Sequence, residues 1–109
     1  MAHVIIDALE EKKGENIVLM DIREIADFTD YFIICSGSSD RMLKALADAV
    51  VENVKRQYEQ PGRMEGIPQD GWLLIDFGDV IVHLFSPDRR DYYRLEDLWA
   101  HGKVILRLQ

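Results

Sequence analysis

The chain is poor in cysteine, in basic charge and in long apolar runs, and each shortage removes a class of function. A single thiol, Cys35, among 109 residues excludes an intramolecular disulfide framework. It stands in Tyr31-Phe32-Ile33-Ile34-Cys35, which reads as a buried strand, so its expected role is a small hydrophobe rather than a nucleophile. The 13 Lys and Arg against 20 Asp and Glu give a formal net charge of −7. That balance leaves no basic stripe for phosphate, the main source of affinity in nucleic-acid binders, and speaks against direct nucleic-acid readout. It suits a basic protein partner. No apolar run approaches the roughly 18 residues of a membrane span. The N-terminal stretch lacks the basic start and cleavage site of a signal peptide and is too acidic for a transit peptide. A reducing cytoplasm is therefore the expected compartment. At this length the sequence predicts one domain over residues 1–109, with no repeats or linkers.

What is present is organised around Gly71 to Tyr93. Two apolar runs, Trp72–Phe77 and Val80–Phe85, flank Gly78-Asp79, a favoured pair for a two-residue hairpin loop. The register follows: Phe77 faces Val80, Asp76 faces Ile81, Leu74 faces His83 and Trp72 faces Phe85. Side chains alternate along a strand, so Leu73, Ile75, Phe77, Val80, Val82 and Leu84 share a wholly apolar face. The opposite face carries Trp72, Leu74, Asp76, Ile81, His83 and Phe85. It is apolar but holds a carboxylate and an imidazole, and it is either covered within the chain or used to bind a protein.

Around the hairpin, helical spacing predicts a helix over residues 3–13, closed by Gly14. Asn16–Ile22 and Tyr31–Cys35 have the continuous apolar centres of strands covered on both faces. The longest helix is expected over residues 39–58, with Ser38 or Ser39 as cap and Met42, Leu43, Leu46, Ala49, Val50, Val54 and Tyr58 on its sheet side. Gln60–Asp70 reads as a loop with a short edge strand near Arg63–Glu65. Ser86-Pro87-Asp88 starts a helical turn, residues 94–100 form a second short helix, and Val104–Leu108 a terminal strand. The order implies an α/β fold, a mixed sheet with helices on one or both faces.

Few motifs carry chemistry. The Ser36-Gly37-Ser38-Ser39 turn between strand and helix suits phosphate but has neither a Walker lysine nor a GxGxxG pattern. Nucleotidyl-transfer enzymes add alternating metal-binding carboxylates after such a turn, and no Asp-x-Asp strand follows here. Asp76-Phe77-Gly78 spells the kinase magnesium motif without its context. His83 can pair with Asp76 diagonally across the strands, a polar contact more readily than a catalytic dyad. No metal site is expected. The alternative to a binding domain is a small nucleotidyl- or phosphoryl-transfer enzyme using the Ser/Gly turn with Asp76, Asp79 and His83.

Thr29-Asp30-Tyr31-Phe32-Ile33-Ile34-Cys35-Ser36-Gly37-Ser38-Ser39 resembles the strand–turn signature of the ribosomal silencing factors, the Iojap-related family. Trp72 with Ile75-Asp76-Phe77-Gly78-Asp79-Val80-Ile81-Val82-His83 is similar to that family's central hairpin, and Tyr93, Leu95-Glu96 and Leu98-Trp99 to its C-terminal signature. The resemblance spans residues 3–100 and leaves 101–109 as a short extension. It implies a nucleotidyltransferase-like fold without the catalytic carboxylates, hence no enzyme and no cofactor. It also implies binding to the large-subunit ribosomal protein numbered fourteen at the intersubunit face. The bound factor then obstructs docking of the small subunit and lowers translation when nutrients are scarce. The expected contacts are Trp72, Phe77 and Tyr93 as apolar groups and Asp76, Asp79 and His83 as polar ones. Phe77, turned to the core side by the register, can contribute only from the hairpin tip. Self-association of the free protein through the mixed face, as a homodimer, is a further expectation.

Overall fold

Apolar periodicity and turn chemistry resolve into a sheet with helices on both faces. In the computed structural model, which describes residues 1–94 and 101–108, α1 spans Ala2–Glu11, β1 Glu15–Asp21, β2 Tyr31–Ser36 and α2 Asp40–Tyr58. These are followed by β3 Arg63–Ile67, a 3-10 turn at Pro68–Asp70, β4 Trp72–Asp76, β5 Val80–Phe85, α3 Pro87–Tyr93 and β6 Lys103–Leu108. The short helix expected over residues 94–100 falls, past Arg94, outside the described residues. Arg94 itself closes α3 in the left-handed conformation, with φ 49°.

Ser39 caps α2, its hydroxyl accepting from the Met42 N–H at 3.1 Å, and Asp40 adds a negative charge to the positive end of the helix dipole. Leu43, Leu46, Ala47, Val50 and Val54 form its buried stripe. The sheet has six strands in the order β3-β4-β5-β2-β1-β6. β2 and β5 run parallel, and the other neighbours are antiparallel. The expected mixed sheet is therefore present. The edge strand expected at 63–65 continues to Ile67. The terminal strand starts at Lys103 and pairs with β1, so residues expected to form a short extension are built into the sheet.

The hairpin face read as apolar packs with α1 and α2. Leu73, Ile75, Phe77, Val80, Val82 and Leu84 join Ile17, Ile33 and Cys35 in one buried cluster. Each large side chain fully buried there contributes about 1.5–3 kcal/mol. Burial also pushes the Cys35 thiol up to about 12, which keeps it a protonated hydrophobe. On the second face Val18, Met20, Ile22, Phe32, Ile34, Ile81 and Phe85 form a separate cluster. Ser36 alternates with Phe32 and Ile34, and its hydroxyl accepts from the Arg90 guanidinium at 2.9 Å, which places α3 on this side.

Two glycines in the left-handed region separate backbone strain from steric contact. Gly66 in β3 has φ +91°, and an added Cβ would stand 2.5 Å from the Trp72 carbonyl oxygen. Gly78 has φ +89° but nothing within 4 Å. Gly78→Ala is expected to cost about 1 kcal/mol from strain alone. Gly66→Ala should cost more, up to about 3 kcal/mol. Urea denaturation of the two variants measures the difference, and equal losses would show that the close approach to β4 does not matter.

Candidate partner-binding surface

The hairpin has the register expected from its sequence, with Trp72 opposite Phe85, Leu74 opposite His83 and Asp76 opposite Ile81. The Phe77 N–H donates to the Val80 carbonyl at 3.0 Å, leaving Gly78-Asp79 as the loop. Positive φ at Gly78 but not at Asp79 is the pattern of a type II′ turn. Two sets of contacts hold this tip. Asp76 Oδ1 accepts from the Gly78 N–H at 2.7 Å, while Oδ2 lies 3.9 Å from the Arg63 guanidinium on edge strand β3. The Asp79 carbonyl accepts from both the Asp30 and the Tyr31 N–H, each at 3.0 Å, which ties the tip to the start of β2.

The six residues expected at a partner surface divide by burial. Asp79 is exposed, Asp76 and Trp72 are half-buried, and Trp72 packs with Leu74 against the second core cluster. Phe77 is only 3% exposed and belongs to the first cluster; its carbonyl accepts from the Gln60 side-chain amide. Its ring therefore braces the tip from inside and offers no face to a partner, which corrects the expectation of a direct contact. Tyr93 closes α3, and its side chain lies outside the described residues.

His83 is also withdrawn, at 7% exposure. Its ring meets Phe32 edge-on at 4.9 Å between centroids and lies parallel to Phe85 at 6.0 Å. Neither ring nitrogen has a hydrogen-bond partner among the described residues. The expected pairing with Asp76 does not form, because that carboxylate is already engaged by Gly78 and Arg63. Burial lowers the imidazole pKa to about 4, so the ring is neutral near pH 7. A neutral ring among phenyl rings shapes the surface from beneath rather than donating to a partner. Because Ile81, His83 and Phe85 are all buried in the monomer, the mixed face is not open as a whole either to a partner or to a second copy. Among the described residues no group of three or more His, Cys, Asp or Glu is placed to hold a metal ion.

Two residues escaped the sequence reading. Phe28, in the connection between β1 and β2, is 57% exposed and packs on Phe32 at 5.9 Å. Phe32 neighbours Ile81, which faces Asp76, so Phe28 stands at the hairpin-tip end of the sheet. Its signal was an aromatic in an otherwise polar loop. Arg90 is 9% exposed and donates to the Asn16 carbonyl and to Ser36. Nothing local marks it, since its partners lie 74 and 54 residues away.

The arrangement defines a small mixed-sheet α/β domain with aromatic and acidic side chains exposed or half-buried along the hairpin. A family model described as ribosomal silencing factor during starvation matches residues 1–108. The chain is 40% identical over 97 residues to ribosomal silencing factor RsfS of Bacillus subtilis, covering 89% of this chain and 82% of that protein. It is 30% identical to the chloroplastic protein Iojap of Zea mays, over 90% of this chain and 42% of that one. A crystal structure of a Chromobacterium violaceum protein superposes with a TM-score of 0.86 at 36% identity, covering 91% of this chain and 82% of that one. The chain belongs to the ribosomal silencing factor family, with Iojap proteins among its relatives.

The His83 environment predicts a pH dependence. Between pH 6.5 and about 4 the unfolded chain takes up a proton at this residue that the folded chain refuses. Its contribution to stability is thus complete above 6.5 and lost as the pH falls towards about 4. The melting temperature of the wild type relative to His83→Leu should therefore drop over that window, measured by circular dichroism. A difference independent of pH would mean that the folded imidazole protonates freely.

Proposed function

We propose that this chain is a translational repressor that occupies the large ribosomal subunit and prevents the small subunit from docking. Membership of the ribosomal silencing factor family along residues 1–108 carries this reading. The target is the large-subunit protein numbered fourteen, at the intersubunit face. The repressor acts in the cytoplasm when nutrients are limiting. It needs neither turnover nor cofactor, because bulk at a docking face is enough.

The contact is made by the rim of the hairpin. Trp72 is the apolar anchor, Asp76 and Asp79 meet basic groups, and Tyr93 of α3 completes the patch. Phe28 extends it at the tip. Phe77 and His83 act indirectly, by holding the hairpin in shape. The net charge of −7 favours approach to a basic ribosomal protein and disfavours bare RNA phosphate.

Co-sedimentation with separated ribosomal subunits tests the reading. The wild type should pellet with large and not with small subunits. Trp72→Ala should weaken binding by about 30-fold, as expected for loss of an aromatic anchor. Asp79→Ala should weaken it less, and with a reduced dependence on salt. Unchanged pelleting of a folded Trp72→Ala protein would remove the hairpin site. Absence of selective pelleting would remove the function.

A further inference from the structure

Among the described residues, two helices lie over the six strands on the first sheet face. α2 contacts β4 and β5, while α1 packs on α2 and reaches β2 and β1. Strands lie about 4.8 Å apart and packed helices about 8–10 Å, so two helices cover roughly four strands. The described residues form a six-stranded sheet, and on this face Leu19 of β1 and Leu108 of β6 only partly pack against the first core cluster, while Leu106 is exposed. The result is a groove of about 880 Å³ alongside α1.

Its floor is apolar, formed by Leu19 of β1 and Leu106 and Leu108 of β6, with Ile6 on the α1 wall. A bulge enlarges that surface. Leu106 pairs with Leu19 and Val104 with Met20, so Ile105 is the inserted residue. Adjacent side chains of a regular strand point to opposite faces, but here both Ile105 and Leu106 line the groove. They are 54% and 37% exposed, which leaves apolar area to solvent along a sheet edge.

Carboxylates outnumber cations on the walls, four against the Met1 amino group. Asp7 and Glu10 stand on α1, and Asp30 and Asp79 close the end where β2 and β5 begin. None of the described lining residues is Lys or Arg. Anionic ligands are therefore disfavoured. An apolar strip between carboxylates, one helix wide, is complementary to a helix whose apolar face is flanked by Lys and Arg.

We propose that this groove docks a cationic amphipathic helix of a partner protein, which lies beside α1 over β1 and β6 as the third helix of the layer. The surface is on the opposite side of the sheet from Trp72. Only Asp79, at the hairpin tip, is shared with the proposed ribosome contact, so Trp72→Ala on one side and Asp7→Lys with Glu10→Lys on the other separate failure of one reading from failure of the other.

An NMR titration of the full chain with a Leu/Lys amphipathic peptide of about 14 residues, about 20 Å as a helix, tests the proposal. A Leu/Glu peptide of the same pattern is the control. The cationic peptide should shift amide signals of α1, β6 and the hairpin tip, and the anionic one should not. Asp7→Lys with Glu10→Lys should weaken binding about 10-fold. Ile105→Ser should weaken it at high as well as low salt. All three residues are exposed, so the variants should keep their fold, and Trp72→Ala should bind as the wild type does. Shifts scattered over other acidic surfaces, or unchanged binding after the charge reversal, would overturn the proposal. So would a homodimer in light scattering that Ile105→Lys dissociates, since the occupant would then be a second copy.

Discussion

The parallel pairing of β2 with β5 is the joint on which the molecule depends. It runs from Tyr31 opposite Val80 to Ser36 opposite Phe85 and joins two antiparallel halves, β3-β4-β5 and β2-β1-β6. Parallel neighbours need a long crossover between them, and α2 lies in that connection and packs back on the sheet. The hairpin alone would be a marginal two-stranded ribbon. Joined to β2 it becomes half of a two-faced core, and its tip comes to rest where β2 begins. Because the joint is central, both faces of β2 and β5 must be covered. That explains why Val80–Phe85 is buried throughout and why the imidazole within it is held neutral.

The division between core and rim follows from the same alternation. Side chains on the α1–α2 face of the hairpin are committed to packing, Phe77 included, even though it adjoins the turn. On the other face, burial is complete on β5 but partial on β4, one strand nearer the edge. The surface therefore consists of the outward residues of β4, Trp72, Leu74 and Asp76, together with the tip. The proposed partner surface, one strand from an edge, borrows rigidity from the core while keeping solvent access.

Much of this was legible in the sequence, for reasons specific to each element. Gly78-Asp79 marks the hairpin loop, and a one-residue slip would have put Asp76 and His83 among the helices, so the register was fixed by exclusion. Ser39 and the stripe from Leu43 to Val54 announced α2. The Asp76–His83 pair failed because a carboxylate near a tight turn finds its own backbone first: the Gly78 N–H is two residues away. Phe77 was ambiguous because alternation places it inward while proximity to the tip suggests access, and packing decided for the interior. Arg90 was invisible because its partners are set by tertiary assembly. The full extents of β3 and β6 were weak signals because edge strands bury little, as their exposed residues show.

The anchoring of the Asp79 carbonyl by two neighbouring N–H groups bears on how a partner would be selected. A tip clamped in this way has little conformational entropy left to lose when a partner arrives, so less of the contact energy is consumed in ordering it. The same clamp denies it the freedom to remodel around an ill-fitting surface. Recognition through the proposed contact would thus resemble the seating of a machined key rather than a handshake: a small change in the opposing contour would be met by rejection, and tolerance would have to come from the other side of the contact.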